Sequence, residues 1–467
     1  MNGIRKWFAL ISGLVFATVL VFLSPAKMAL AIAVATATLV VIRTPMAGML
    51  LFVFLAILAP FSTFRLGIRI TLSEAALVLT WIGAGFQLLT GRLVWHMGLT
   101  ERRVIRLMLY SLVPFVAGQV MVHADGNGVV NWLRWLLNLS PLFLVGILVR
   151  DARQREQVMV ALLLGLLAML LLSIGYFLKD RDANTFIPVL KAMHYAHPDA
   201  VTDIFSANYK RMASPWVHPN LTGGVLVLFL PMAFFLAQVK RGWLRALAIA
   251  VAVLGAAGLL FSISRGAIVS LALVLLWLTW RRAPYAGRVM GVGVALTACL
   301  VMFYPPLQHR LATTFSADNA STKVRLDEYR HFPDAVKRYP LGIGFKTDPP
   351  PDSDLLGISN LWLNDVYKIG VPGMLLFVAT TLAWWREIRY RGWLDRLDET
   401  RALRFGIQAG LLAALLTGLF DHYYSFTMVL VALFWTMTAF SLQLARADDR
   451  VPELPAERER LPDRGHA

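Results

Sequence analysis

Apolar runs recur along almost the whole chain, and reading them at the roughly 20 residues needed to cross a bilayer predicts about fourteen membrane spans. Their centres fall near Val15, Val34, Phe54, Trp81, Leu112, Leu142, Leu166, Phe229, Val253, Leu273, Leu296, Leu375, Leu412 and Ala432. Two hydrophilic segments interrupt the series, Lys179 to Leu221 and Tyr304 to Leu361. At about 40 and 55 residues they exceed ordinary connections, which predicts functional segments with short helices of their own. The expected fold class is therefore all-α, a polytopic transmembrane helical bundle. Its parts are N-terminal transmembrane helices over 1–178, a first long loop over 179–221, central transmembrane helices over 222–304, a second long loop over 305–361, and C-terminal transmembrane helices over 362–445. A tail over 446–467 is charged and Pro-containing, which predicts disorder. The first apolar run, after Arg5 and Lys6, has the look of a signal-peptide core; because more spans follow at once, it reads as an uncleaved first helix.

Composition agrees with this class and narrows it. The chain has 467 residues, 58% hydrophobic and 16% charged, too apolar for a soluble domain of that size. Its net charge of +17 does not point to nucleic acid, because the basic residues sit mainly in short loops between apolar runs. That placement orients a protein in a bilayer and attracts anionic lipid. With the N-terminus cytoplasmic, the loops holding Arg43, Arg102, Arg150, Arg241, Arg281 and Arg389 all fall on the cytoplasmic side. Both long segments then face the other way, as do the turns at Ser264-Arg265 and Asp421-His422. The single cysteine, Cys299, lies in an apolar run, so neither a disulfide framework nor a cysteine metal site is available.

The outer segments carry the candidate chemistry. Arg325, Tyr329, Phe332, Val336 and Tyr339 recur at helical spacing, with Pro333 positioned to break or restart that helix. An arginine on such a face is either paired, with Asp327, Glu328 or an acid of the first loop, or points into a wet cavity as an anion ligand. Arg265 lies in Ser264-Arg265-Gly266-Ala267, where small residues allow close approach of another backbone. A lone interfacial arginine is usually a headgroup contact. This one sits on the outer face in a very short turn, and its planar fork suits bidentate pairing, so Arg265 and Arg325 together can hold a diphosphate.

These residues resemble a known family. Ser264-Arg265-Gly266-Ala267 after an apolar run, His218-Pro219-Asn220 opening a span, and Arg325 upstream of Pro340-Leu341-Gly342-Ile343-Gly344-Phe345 are similar to the O-antigen ligase and O-antigen polymerase superfamily. So are Asn360-Leu361-Trp362-Leu363 with Gly370-Val371-Pro372-Gly373, and Gly418-Leu419-Phe420-Asp421-His422-Tyr423. The resemblance implies a metal-independent, inverting glycosyltransferase of the bacterial inner membrane, with its site facing the periplasm and no cofactor. Its partners are expected to be a polyprenyl-diphosphate-linked glycan donor, a glycan or lipid A core acceptor, and membrane lipid. Arg265, Arg325 and Arg211 are the diphosphate ligands it implies, with Asn220, Ser359 and Asn360 as further binding residues.

One departure matters. The ligases carry His-Asn where this chain has Ser359-Asn360, and serine cannot act as a base without an activating group of its own. Either another group serves, with His422 beside Asp421 ahead of His218, or a good diphosphate leaving group needs little base assistance. Each candidate also has a plain reading, Asp421 with His422 as a helix-end hydrogen bond and His218 as a cap. Ser359 favours a polymerase or another divergent transferase over a standard ligase. Asp180-Arg181-Asp182 and Asp352-Ser353-Asp354 have a metal-holding spacing but lack the strand-rich domain that use requires. His194-Tyr195-Ala196-His197 lacks a third ligand, so no metal site is expected. The alternative function is a lipid-linked oligosaccharide flippase or other secondary transporter, which would place charges near the bilayer midplane; here they cluster at the outer ends of the spans.

Overall fold

The computed structural model describes residues 7, 13, 24–122, 126–179, 186–195, 211–303, 308, 320–346, 358–390, 393–394 and 398–448. The tail from 449, most of the expected first span, the two Asp-x-Asp segments, His197, His309 and Arg310 lie outside these residues. The described chain is a helical bundle with one antiparallel hairpin, Thr63–Leu66 paired with Ile68–Thr71.

Nine helical segments among the described residues are long and apolar enough to cross a membrane, so the chain is a multi-pass membrane protein: Leu72–Leu89, Leu99–Met121, Gly128–Leu148, Ala152–Lys179, Pro219–Val239, Gly242–Ser262, Ala286–Phe303, Leu361–Ile388 and Met428–Asp448. The separate spans expected near Val34 and Phe54 are instead two helices, Lys27–Arg43 and Pro45–Leu58, bent by 119°. Pro45 causes the bend: it has no N–H to continue the ladder and forces Thr44 out of the helical region, to φ −127° and ψ 78°. Arg265–Trp280 is apolar but shorter, and Glu399–Thr417 opens with Glu399, Arg401 and Arg404.

Pro219–Val239 and Met428–Asp448 are buried along most of their length and form the centre of the bundle. Glu399–Thr417 lies against Pro219–Val239 at Gly406 and Gly410, one turn apart. A Cβ at Gly410 would stand 2.0 Å from the Leu228 carbonyl oxygen, so only glycine permits this backbone approach. Large apolar side chains such as Val253, Leu276 and Leu375 point outward, as lipid-facing positions do. At one end of the bundle, ion pairs join Lys240 to Glu399, Arg404 to Asp448 at 2.9 Å and Arg446 to Glu101 at 2.7 Å.

The opposite end gathers the hydrophilic segments. The hairpin is tied to the first loop by Thr63, whose N–H and hydroxyl donate to the carbonyls of Met193 and His194. The second loop contains the helix Ala320–Arg338, which runs through Pro333 without stopping. After it, Pro340–Phe345 docks on a break in Leu361–Ile388 at Gly370 (φ 73°). Pro372 cannot donate to the carbonyl four residues back, and that carbonyl, on Lys368, accepts from Gly344 N–H at 3.0 Å instead. Ile343 N–H likewise donates to the Tyr367 carbonyl at 2.9 Å.

Gly344 has φ +72°, and a Cβ there would lie 2.3 Å from the Pro114 carbonyl oxygen. Gly344→Ala is therefore expected to destabilise the fold by about 1–3 kcal/mol from backbone conformation, with the clash in addition. Thermal melting of the detergent-solubilised protein checks this; an unchanged midpoint would show that the turn does not need glycine.

Candidate functional site

The hydrophilic end holds a relay, a chain of hydrogen bonds that starts at the first loop and is joined to the second by an ion pair. Arg211, at the close of the first loop, donates from Nε to the Ser262 carbonyl at 2.7 Å and from Nη2 to Asn220 Oδ1 at 2.5 Å. The Asn220 side chain also hydrogen-bonds the Tyr423 hydroxyl. That hydroxyl donates to Asp421 Oδ2, and Arg325 Nη2, on the second-loop helix, stands 3.8 Å from the same oxygen. The other carboxylate oxygen of Asp421 accepts from His422 N–H at 2.9 Å. Burial first, then the charge and hydrogen bond of Asp421, holds the Tyr423 phenol well above its usual range, against the opposing effects of Asn220 and Arg325. Tyr423 therefore remains a neutral donor throughout the physiological range.

Arg265 joins this cluster from a third direction. Ile263 takes a left-handed conformation (φ 49°), which ends Gly242–Ser262 and turns the chain at once into Arg265–Trp280. Small residues make room for the turn: a Cβ on Gly223 would meet Ser264 Cβ at 2.6 Å, and one on Gly266 would meet Phe420 Cβ at 2.8 Å. Arg265 is the first residue of its helix, whose opening amides have no side-chain cap. Its Nη1 is buried and finds no hydrogen-bond partner among the described residues, and Arg325 is near enough for like-charge repulsion between the two. Two guanidinium groups held together beside an uncapped helix start form an arrangement that an anion would stabilise.

The remaining expected residues fall into place around the cluster with different roles. His218 is the N-cap of Pro219–Val239, its Nδ1 accepting from Asn220 N–H at 3.2 Å, which matches its plain reading. Asn360 caps Leu361–Ile388 by accepting from Trp362 and Leu363 N–H, and donates to the Leu419 carbonyl at 3.1 Å. The next residue, Leu361, donates its N–H to the carbonyls of Gly418 and Asp421. His422 Nδ1 is buried without a hydrogen-bond partner among the described residues, 3.4 Å from Asp421 Oδ1, and the ring packs edge-on to Phe426 at 5.1 Å.

Two residues enter that sequence reasoning had not assigned to the site. Tyr423 stood inside a quoted motif but carried no role there. Glu328 was expected only as a salt-bridge partner for Arg325; instead its carboxylate accepts from Ser359 N–H at 2.9 Å and Ser359 Oγ at 3.2 Å, while Arg325 faces Asp421. The separation of Arg325 and Glu328 by three residues, which puts both on one helix face, was the available signal. Among the described residues no group of His, Cys, Asp and Glu is gathered to hold a metal.

Residues 225–378, about a third of the chain, match the family described as O-Antigen ligase. The match spans Arg265, Arg325, Glu328, Ser359 and Asn360, and stops short of Arg211, Asn220 and Asp421. No curated protein matches the chain.

Replacing Asn360 with Ala removes the acceptor for two helix-start amides and the link to Leu419. A loss of about 1 kcal/mol is expected from the cap alone, read as a lower denaturation midpoint.

Proposed function

We propose, from the match of residues 225–378 to the O-Antigen ligase family, that the chain transfers a glycan from a polyprenyl diphosphate carrier to an acceptor hydroxyl. The domain indicates ligase-type function in surface polysaccharide assembly and does not favour the flippase alternative. The observation that carries the finer reading is the buried Nη1 of Arg265, without a hydrogen-bond partner among the described residues, beside the like charge of Arg325. Two guanidinium groups held this close with only Asp421 facing one of them carry uncompensated charge, and a diphosphate compensates both.

In this reading Arg265 and Arg325 bind the diphosphate, with Arg211 holding the turn that presents Arg265. The acceptor oxygen attacks the anomeric carbon of the first donor sugar. The bond from that carbon to phosphate oxygen breaks, and its electron pair leaves on the polyprenyl diphosphate, where the arginines stabilise the gathering charge. A single displacement inverts the anomeric centre. The hydroxyl proton goes to His422, whose Nδ1 lies 3.4 Å from Asp421 Oδ1; the Asp421 carboxylate is itself occupied by the His422 N–H, the Tyr423 hydroxyl and the charge of Arg325. Glu328 supports a second reading, since it supplies Ser359 with the activating carboxylate that serine needs. With the basic loops cytoplasmic, the site opens to the periplasm of a bacterial inner membrane.

Arg265→Ala is expected to abolish surface-glycan assembly while the protein still reaches the membrane; full assembly would sink the assignment. Arg265→Lys is expected to restore little, because the ammonium lacks the fork. His422→Ala is expected to lower turnover by about 100- to 10,000-fold in a transfer assay with saturating donor. A loss of that size in Glu328→Gln, with His422→Ala retaining turnover, would assign the base to Glu328.

A further inference from the structure

A second site, a cavity of about 280 Å³, opens at the same end of the bundle, walled in part by segments next to the relay. Tyr195 comes from the first loop, Phe345 from the Pro340–Phe345 turn, and Phe426 and Thr427 from the stretch after His422. Leu221, which also lines it, follows Asn220 of the relay. Phe426 is shared between the two sites: its ring packs edge-on to His422 and also borders the cavity. The cavity therefore adjoins the proposed proton acceptor through the Phe426 ring.

Its lining selects a chemical class. Aromatic rings stand beside the polar side chains of Asn131 and Thr427, together with two cations, Arg134 and Lys368. Each cation already has a partner. Arg134 pairs with buried Glu74 through Nε at 2.9 Å and Nη2 at 3.2 Å, and Lys368 Nζ lies over the Phe345 ring at 5.8 Å. A phosphate or other free anion would have to compete with Glu74 for Arg134 and would meet mostly apolar walls elsewhere, so the cavity is not built for net negative charge. A neutral sugar ring suits it: hydroxyls meet the polar groups, and the apolar ring face lies on an aromatic side chain. The volume lies just below the roughly 300 Å³ at which ligand pockets begin, and so fits a single ring and not a chain.

We propose that this cavity is the subsite for the terminal neutral sugar of the acceptor, with Phe426 as the wall that aligns the attacking hydroxyl beside His422. The inference rests on the transferase reading above and adds to it the acceptor's place and chemistry.

Photo-crosslinking in polysaccharide-producing cells tests it, with benzoylphenylalanine replacing Asn131 in the cavity or, as reference, Val324 beside Arg325. The expected result is a carbohydrate-staining adduct at both positions, lost from position 131 when acceptor synthesis is blocked and retained at position 324. A glycan adduct at 324 with either no adduct or only a phospholipid adduct at 131 overturns the subsite and leaves the transferase reading standing. Absence of glycan at both positions overturns the two together. Asn131→Trp, which fills the cavity, is expected to raise the KM for acceptor with little change in donor binding, and misplacing the hydroxyl in this way lowers transfer by on the order of a hundredfold. An unchanged KM in a variant with a wild-type melting midpoint also overturns the subsite.

Discussion

The hydrophilic end of this protein depends on one mostly buried carboxylate. Asp421 is 12% exposed, and a charge so placed is tolerated only when donors or opposite charge compensate it. Two donors come from its own turn, His422 N–H and the Tyr423 hydroxyl, and the charge of Arg325 faces it from the second loop at 3.8 Å. The backbone carbonyl of the same residue receives Leu361 N–H, where the chain returns to apolar sequence. Asp421 thus joins the last connection of the bundle to both ends of the second loop's described part. Because Tyr423 also meets Asn220, the first loop is fastened to the same point.

Helix breaks supply the backbone geometry that side chains alone could not. Ile263 in a left-handed conformation sets Arg265 at a helix start, and Gly370 with Pro372 opens carbonyls to which the Pro340–Phe345 turn binds. In a membrane, interrupted helices are tolerated only where the freed backbone groups find partners or line a polar cavity. Here the break at Gly370 does both, since its carbonyls accept from Ile343 and Gly344 and Lys368 lines the second cavity. Glycines at 223 and 266 then make room for the side chains of Ser264 and Phe420, and the one at 344 lets the turn approach the Pro114 backbone.

The two ends of the bundle use charge differently. At the end with Lys240, Arg404 and Arg446, each cation meets an acid, and the pairs tie helix termini together. At the other end, two arginines share a neighbourhood and one carboxylate serves only one of them directly. The first arrangement is complete as it stands, and the second gains from an anionic ligand. That asymmetry is a physical reason to look for the chemistry at the end where the long loops lie.

Apolar runs made the helical bundle and its many spans readable along the chain, because bilayer thickness and backbone satisfaction leave few other choices. Small residues around Arg265 and the spacing of the Arg325 helix were enough to nominate the arginine cluster. The kink at Pro45 shows the limit of run length as a guide, since an apolar stretch fixes hydrophobicity and not direction. Partner choice needed the tertiary structure. Arg325 had acids three residues or fewer away yet faces Asp421, and Glu328 turned to Ser359, because side-chain pairing follows the way the loop helix is laid across the bundle. The Asn220–Tyr423–Asp421 relay and the second cavity likewise join residues some two hundred positions apart, and no local pattern records such contacts.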